Sequence, residues 1–297
     1  APAFKTDGPE SSRVCEAGAR VALDFGVKDQ GAPAAYSASH LPAGAALDAQ
    51  SGLFSWDAPR EGAYTFVVQA ERGATMAAKR VSLFVAASRS AAISKATEKA
   101  EPASSIAAAR EAYEDALRQA TEAAAGADGE TFHSKLFRLQ DAVAALEPLT
   151  PLLPDGSLDF SRCVTSPQIL PVGLSRLTDG NSDTFPWNER PSDGSFYVFD
   201  FGLGFRFSAD ALGLQGRLNF EERGGDVLFF GSNDGTSWTR LTATPTPFST
   251  SLIREEVYPE QKSARFRYLK VQKRGGFMEL SEVRIYGQRF EVAPGSG

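Results

Sequence analysis

Histidine and cysteine each occur only twice in the 297 residues, at His40, His133, Cys15 and Cys163, and no run of about 18 apolar residues occurs anywhere. A zinc site would therefore have to be built almost entirely from carboxylates, and a disulfide-stapled small fold is excluded. The two cysteines leave open a single bridge between the first and last domains. The missing apolar run excludes a membrane-spanning helix. An excess of positive charge is missing too: 31 Lys and Arg stand against 37 Asp and Glu, a net of −6, so a nucleic-acid partner drawn by bulk charge is not expected, nor is a membrane. The N-terminus lacks the basic-then-apolar run of a signal peptide, and residues 291–297 read as a linker or tail, so a larger parent chain is expected. What remains is 42% hydrophobic, 23% charged and 10% aromatic, enough for a core and for two or three domains.

Residues 1–87 are rich in Gly, Pro and short alternating runs. Arg20-Val-Ala-Leu-Asp-Phe-Gly-Val, Ala63-Tyr-Thr-Phe-Val-Val-Gln-Ala and Lys79-Arg-Val-Ser-Leu-Phe-Val-Ala alternate as half-buried strands do, which points to a small β-sandwich. Between them stand Leu41-Pro-Ala-Gly, Ser51-Gly52 and Glu61-Gly-Ala-Tyr-Thr-Phe. This ordered set resembles the immunoglobulin-like, cadherin-like repeats of bacterial secreted proteins, which implies an immunoglobulin-like spacer domain.

Residues 88–150 change character, with alanine dominant and the apolar spacing helical. Ile106, Ala109, Tyr113, Ala116 or Leu117, Ala120 and Ala124 recur at steps of three and four, followed by Gly126 as a stop; Phe132, Leu136, Leu139, Val143 and Leu146 repeat the pattern up to Pro148. With a shorter segment over 93–100 this predicts a three-helix bundle, self-packed through its two complementary stripes. The pattern loosely resembles the FIVAR-type helical modules of extracellular glycan-active enzymes, which implies a second spacer.

After a proline-punctuated connector, Pro148-Leu-Thr-Pro-Leu-Leu-Pro-Asp-Gly, the chain turns aromatic and β-rich; 14 of its 21 phenylalanines lie from Phe160 onward, so the largest core is expected in 151–290. The loop Leu177-Thr-Asp-Gly-Asn-Ser-Asp-Thr-Phe-Pro-Trp gathers oxygen donors of the kind that hard cations take, although an Asx-capped polar turn explains it equally well. Tyr197-Val-Phe-Asp-Phe-Gly, Gly231-Ser-Asn-Asp-Gly-Thr-Ser-Trp, Phe266-Arg-Tyr-Leu-Lys-Val and Glu279-Leu-Ser-Glu-Val-Arg-Ile-Tyr-Gly follow in order. The set resembles the discoidin, or coagulation-factor type C, domain and within it the family 32 carbohydrate-binding modules. The resemblance implies an eight-stranded jelly-roll β-sandwich with ligands bound by end loops. It also implies a structural Ca2+ held by Asp179, Thr184 and Glu282, with the carbonyls of Arg176 and Asn181. The fold class expected for the whole chain is thus mostly β with a helical middle module.

A sugar needs an aromatic face and planar donors. Three segments offer both: Trp187-Asn-Glu-Arg-Pro, Arg217-Leu-Asn-Phe-Glu-Glu-Arg-Gly-Gly and Lys273-Arg-Gly-Gly-Phe. Arg217, Phe220, Arg223, Arg274 and Phe277 are the leading candidates, with Trp187, Asn188 and Arg190 behind them. Histidine is absent from this domain, and arginine outnumbers lysine 13 to 3 over residues 159–290, which leans toward an acidic polysaccharide. The alternative is that these arginines stabilise strands through surface pairs.

No catalytic constellation is visible. Asp200-Phe-Gly lacks the other parts of a kinase site, Gly231-Ser-Asn-Asp-Gly-Thr lacks the lysine of a phosphate loop, and Glu221 and Glu222, read as strand neighbours, would point to opposite faces. The leading reading is a monomeric, non-catalytic glycan-binding region of a secreted or cell-surface bacterial polysaccharide-degrading enzyme, either glycoside hydrolase or polysaccharide lyase, whose catalytic domain lies elsewhere in the parent chain. The alternative is a surface adhesin or structural protein whose discoidin domain binds protein or phospholipid.

Overall fold

The computed structural model describes residues 2–5, 10–28, 32–186, 195–249 and 251–292. The chain divides into two compact units, Ala1–Glu147 and Pro148–Gly297.

In the first unit, strands β1 (Glu10–Glu16), β7 (Thr75–Ala86), β6 (Gly62–Arg72) and β3 (Ala35–Ser39) form one sheet, in that order; β2 (Val21–Asp24), β5 (Leu53–Trp56) and β4 (Ala45–Leu47) form another. β1 runs parallel to β7, and the other pairings are antiparallel. The alternation read in the sequence supplies the core between them. Phe54 stacks on Phe66 at 5.0 Å and Phe25 meets both edge-on at 6.4 Å. The Ser51-Gly52 turn closes because the Asp48 carboxylate accepts hydrogen bonds from Ser51 N and its hydroxyl, while Gly52 takes φ +74°. Cys15 is fully buried in this core, and burial pushes its thiol up to about 12. Neither Cys15 nor Cys163 forms a disulfide among the described residues.

Helices α1 (Arg89–Thr97), α2 (Ala107–Gly126) and α3 (Gly129–Ala144) follow. Ser88 and Asp128 cap α1 and α3 by accepting from Ala91 N and Thr131 N. The expected stripes meet, Tyr113, Ala116 and Ala120 against Phe132, Leu136 and Leu139. The bundle does not stand apart from residues 1–87, because β1 is an edge strand with backbone groups to satisfy. The Gln140 amide accepts from Val14 N at 2.8 Å and donates to Val14 O at 3.0 Å, as a further strand would. Arg13 pairs with Asp141, and Arg89 joins Glu16 to the last carbonyls of α2. Buried His133 completes the seam: its Nε2 accepts from Glu16 N at 2.9 Å, so its Nδ1–H faces the Arg20 carbonyl, also at 2.9 Å.

The second unit contains the short helix α4 (Pro171–Leu174) and strands β8 (Phe196–Asp200), β9 (Phe205–Gly216), β10 (Val227–Ser232), β11 (Thr239–Arg240), β12 (Ile253–Glu256), β13 (Tyr268–Lys273) and β14 (Leu280–Glu291). They make two sheets, β11-β10-β13-β8 and β12-β9-β14, antiparallel throughout. Of the eight strands expected, seven form among the described residues; at the free edge of β8 the chain adds one bridge, Thr165 with Asp200. Tyr197, Phe199, Phe207, Phe229, Leu269, Val271, Val283 and Ile285 fill the core. Asp200 ends β8 as a structural acid, gripping Arg267 through two bonds of 2.7 Å. The proline-rich connector is bound rather than free: Arg289 donates to the carbonyl of Pro148, and Leu158 N to Ile285 O.

Two stability effects follow. Burial lowers the His133 pKa, so the folded chain binds its proton less readily than the unfolded chain does. Stability intact above the unfolded value near 6.5 is therefore lost as pH falls below it; calorimetry from pH 7 to 5 will show the first unit's transition falling, and falling less in His133→Gln. At the β14 bulge a Cβ on Gly287 would lie 1.9 Å from Ser208 O, so Gly287→Ala should cost about 1–3 kcal/mol in urea unfolding.

Candidate functional site

The registers place several connections at one pole of the second unit. Val227 opposite Lys273, Leu214 opposite Ile253 and Gly216 opposite Leu280 bring together the β9–β10, β11–β12 and β13–β14 loops. The loop 179–186 joins them, since Leu218 N donates to Ser182 O and the Ser281 hydroxyl reaches the same carbonyl at 2.8 Å.

Four of the expected sugar contacts assemble there, with two residues that sequence reasoning did not single out. The guanidinium of Arg217 lies over Phe185 at 4.0 Å and over Phe220 at 4.8 Å; that of Arg223 lies over Phe220 at 3.8 Å and over Phe277 at 5.1 Å. Rings and guanidinium groups thus alternate in the order Phe185, Arg217, Phe220, Arg223, Phe277. Glu279, 8% exposed, places Oε2 on both arginines, 3.1 Å from Arg217 Nη1 and in direct contact with Arg223 Nη1. Arg274 stands apart, paired with Asp226 at 2.7 Å. Trp187, Asn188 and Arg190 lie outside the described residues.

Beside this stack is a cleft of about 470 Å³ lined by Glu222, Arg223, Asp226, Phe248, Lys273, Gly275, Gly276 and Phe277. Of the expected residues, Arg223 and Phe277 reach it. Phe248 is 63% exposed, yet it is seated directly on Gly225, where any Cβ would stand 2.1 Å from its ring. Lys273 supports it from below, with Nζ 5.5 Å from the ring centroid while donating to the carbonyls of Glu222 and Gly225. Asp226 holds φ +60°, fixed by its N–H on Thr246 O and by Arg274 N on its carbonyl. The signal for Phe248 was a lone aromatic in the polar stretch Thr246-Pro-Phe-Ser-Thr, where no alternation assigns it to a core.

One expectation changes. Glu221 and Glu222 are not strand neighbours but lie in a tight helical turn, Glu221–Arg223. Of the 13 arginines over residues 159–290, five are paired internally in the way the pairing alternative describes: Arg217 and Arg223 by Glu279, Arg274 by Asp226, Arg267 by Asp200 and Arg284 by Glu282 and Asp155.

The cation expectation falls on a loop whose side chains do converge. Asp179 accepts from Asn181 N at 2.9 Å, the Thr184 hydroxyl lies 2.8 Å from Asp179 Oδ2 and 3.0 Å from Asn181 O, and the Arg176 side chain closes the loop on Phe185 O at 3.1 Å. Glu282, 1% exposed, lies close enough to Asp179 for the two carboxylates to interact; its Oε2 contacts Arg284, while its Oε1 is buried with no partner. Burial pushes the Glu282 carboxyl up, Arg284 draws it down, and Asp179 pushes it up again. Two facing carboxylates, one with an orphaned oxygen, beside hydroxyl and carbonyl oxygens, are the donor set of a hard cation such as Ca2+. Among the described residues no three of His, Cys, Asp and Glu converge, so this acidic pair would carry the charge.

Residues 13–86 match the family model described as "Putative Ig domain". Among curated proteins none is similar enough to match. Among solved structures, CBM62 from Clostridium thermocellum Xyl5A is 24% identical, covering 42% of this chain and 94% of its own, with a TM-score of 0.35. A CBM32 from Clostridium perfringens, in complex with GalNAc-β-1,3-galactose, is 16% identical over 41% of this chain and 93% of its own, with a TM-score of 0.33. A Bacteroides fragilis structure described as a "putative alpha-galactosidase" is 23% identical over 25% of this chain, with a TM-score of 0.24, and the chain spans only 16% of its length. Among the described residues no helix is long and apolar enough to cross a membrane.

Removing the shared carboxylate should loosen the whole stack. Glu279→Gln is expected to lower unfolding stability by about 1–3 kcal/mol, read in urea titrations, because two half-buried guanidinium groups lose a charged acceptor.

Proposed function

We propose that the second unit is a carbohydrate-binding module, a non-catalytic glycan-binding region of a larger secreted polysaccharide-degrading enzyme. The observation that carries this reading is the cleft of about 470 Å³ in which an exposed, rigidly seated Phe248 and Phe277 share a wall with Asp226, Glu222 and Arg223. Phenyl faces take the apolar side of a pyranose ring, and the flanking carboxylates and guanidinium address its hydroxyls. The glycines at 275 and 276 leave the rim open to a chain that continues past the cleft. The internal pairing of the arginines favours a neutral glycan over the acidic polysaccharide that composition alone suggested.

The two cleft acids are each engaged by a cation, Asp226 by Arg274 and Glu222 by Arg223, which fits a role in binding. In a longer chain such a module raises the local concentration of substrate for a catalytic domain. A structural Ca2+ held by Asp179, Glu282, Thr184 and the Arg176 and Asn181 carbonyls supports the pole; its contribution is neutralisation of the buried Glu282 carboxylate together with its exposed neighbour Asp179. The immunoglobulin-like and helical segments serve as the spacer.

Affinity electrophoresis in gels of neutral and of uronate-containing polysaccharides tests the reading. The chain should be retarded by a neutral polymer, and Phe248→Ala should weaken retardation about tenfold with Tm unchanged, as one lost stacking contact implies. No retardation by any polysaccharide, together with binding to phospholipid vesicles through exposed Leu218, Phe248 and Leu252, would transfer support to the adhesin reading. Separately, EDTA should lower the Tm of the second unit and added Ca2+ restore it, with Glu282→Gln insensitive to both.

A further inference from the structure

The cation loop and the cleft are joined by a continuous set of contacts. Thr184, on Asp179, is followed directly by Phe185, the first ring of the stack, and the Arg176 guanidinium holds that residue's carbonyl. Phe185 covers Arg217, Arg217 shares Phe220 with Arg223, and Arg223 and Phe277 line the cleft. The same loop is tied to both neighbouring elements through Ser182 O, which accepts from Leu218 N and from the Ser281 hydroxyl. Glu282 and Glu279 stand three positions apart on either side of the start of β14, one facing the cation loop and the other the arginines.

We infer that cation binding at the Asp179–Glu282 pair orders the cleft, with Phe185 and Arg217 as the positioning residues that connect the two. This rests on the cation reading given above. The loop 179–186 is the element that both sites bias. A cation between the facing carboxylates removes their repulsion and gives Glu282 Oε1 a partner, which favours the described loop geometry; that geometry seats Phe185 on Arg217. By linkage, whatever stabilises the stack from the cleft side tightens the cation to the same degree.

The test uses the intact chain and Ca2+ alone as the probe, with two readouts: Tm, and exchange of the Arg217 and Arg223 Nε–H protons by NMR, assigned with Arg217→Lys and Arg223→Lys. In the wild type, saturating Ca2+ should raise Tm and slow Arg223 Nε–H exchange at least about fivefold. In Phe185→Ala, Ca2+ should still raise Tm, but the slowing at Arg223 should fall below about twofold. Arg217→Lys, which keeps a cation on Glu279 and loses the planar stack, should behave in the same way and serves if the phenylalanine variant does not fold. Ca2+ that raises Tm without slowing Arg223, or that slows it equally in both variants, overturns the coupling and leaves the cation site standing. Ca2+ that leaves the wild-type Tm unmoved removes the cation site and the coupling with it.

Discussion

One carboxylate oxygen, Glu279 Oε2, holds two guanidinium groups at the pole of the second unit, and the arrangement of the end loops depends on it. Without an acid between them Arg217 and Arg223 would repel, and the rings they separate would have no reason to stay in register. Placing the acid at the buried start of β14 solves this, because a residue entering a paired strand has a fixed position. The loop side chains are then organised by the sheet rather than by one another. This is the usual requirement of a binding surface, that contact residues on loops be held by rigid elements beneath them.

Three positions on, within β14, stands a second acid, Glu282, whose surroundings differ. Glu279 is buried between two cations; Glu282 has one guanidinium, another carboxylate nearby and an oxygen with no partner. The contrast leaves one acid fully paired and the other with an unpartnered oxygen. Arg284 contributes further by reaching Asp155 near the end of the connector, so the start of the unit and its last strand are neutralised together.

Much of this was legible in the residues. The period-two runs over 63–70 and 79–86 appear as long paired strands, and the three-and-four spacing over 106–124 and 132–146 appears as helices that meet along the expected stripes. The alternating ring and guanidinium residues of one short loop, Arg217, Phe220 and Arg223, were visible as a group. What could not be read was pairing across distance. Nothing local announces that Glu279 lies between Arg217 and Arg223, that Gln140 completes the edge of β1, or that Phe185 caps the stack, since each relation spans tens of residues and is set by register. Phe248 was missed for a different reason: its position depends on the missing side chain of Gly225, a sequence-distant glycine whose role only the packing reveals.

β14 runs twelve residues, roughly 40 Å, and pairs with β9 from Leu280 opposite Gly216 to Glu291 opposite Phe205. Its first residues adjoin the cleft loops, and near its far end Arg289 grips the connector where the polypeptide enters the unit. A tug between a ligand in the cleft and the incoming polypeptide would therefore load this strand lengthwise. Hydrogen bonds perpendicular to the pull share such a load side by side, whereas a peeling force opens them one at a time. The long β9–β14 ladder is thus built to resist traction as well as to hold the pole's acids in place.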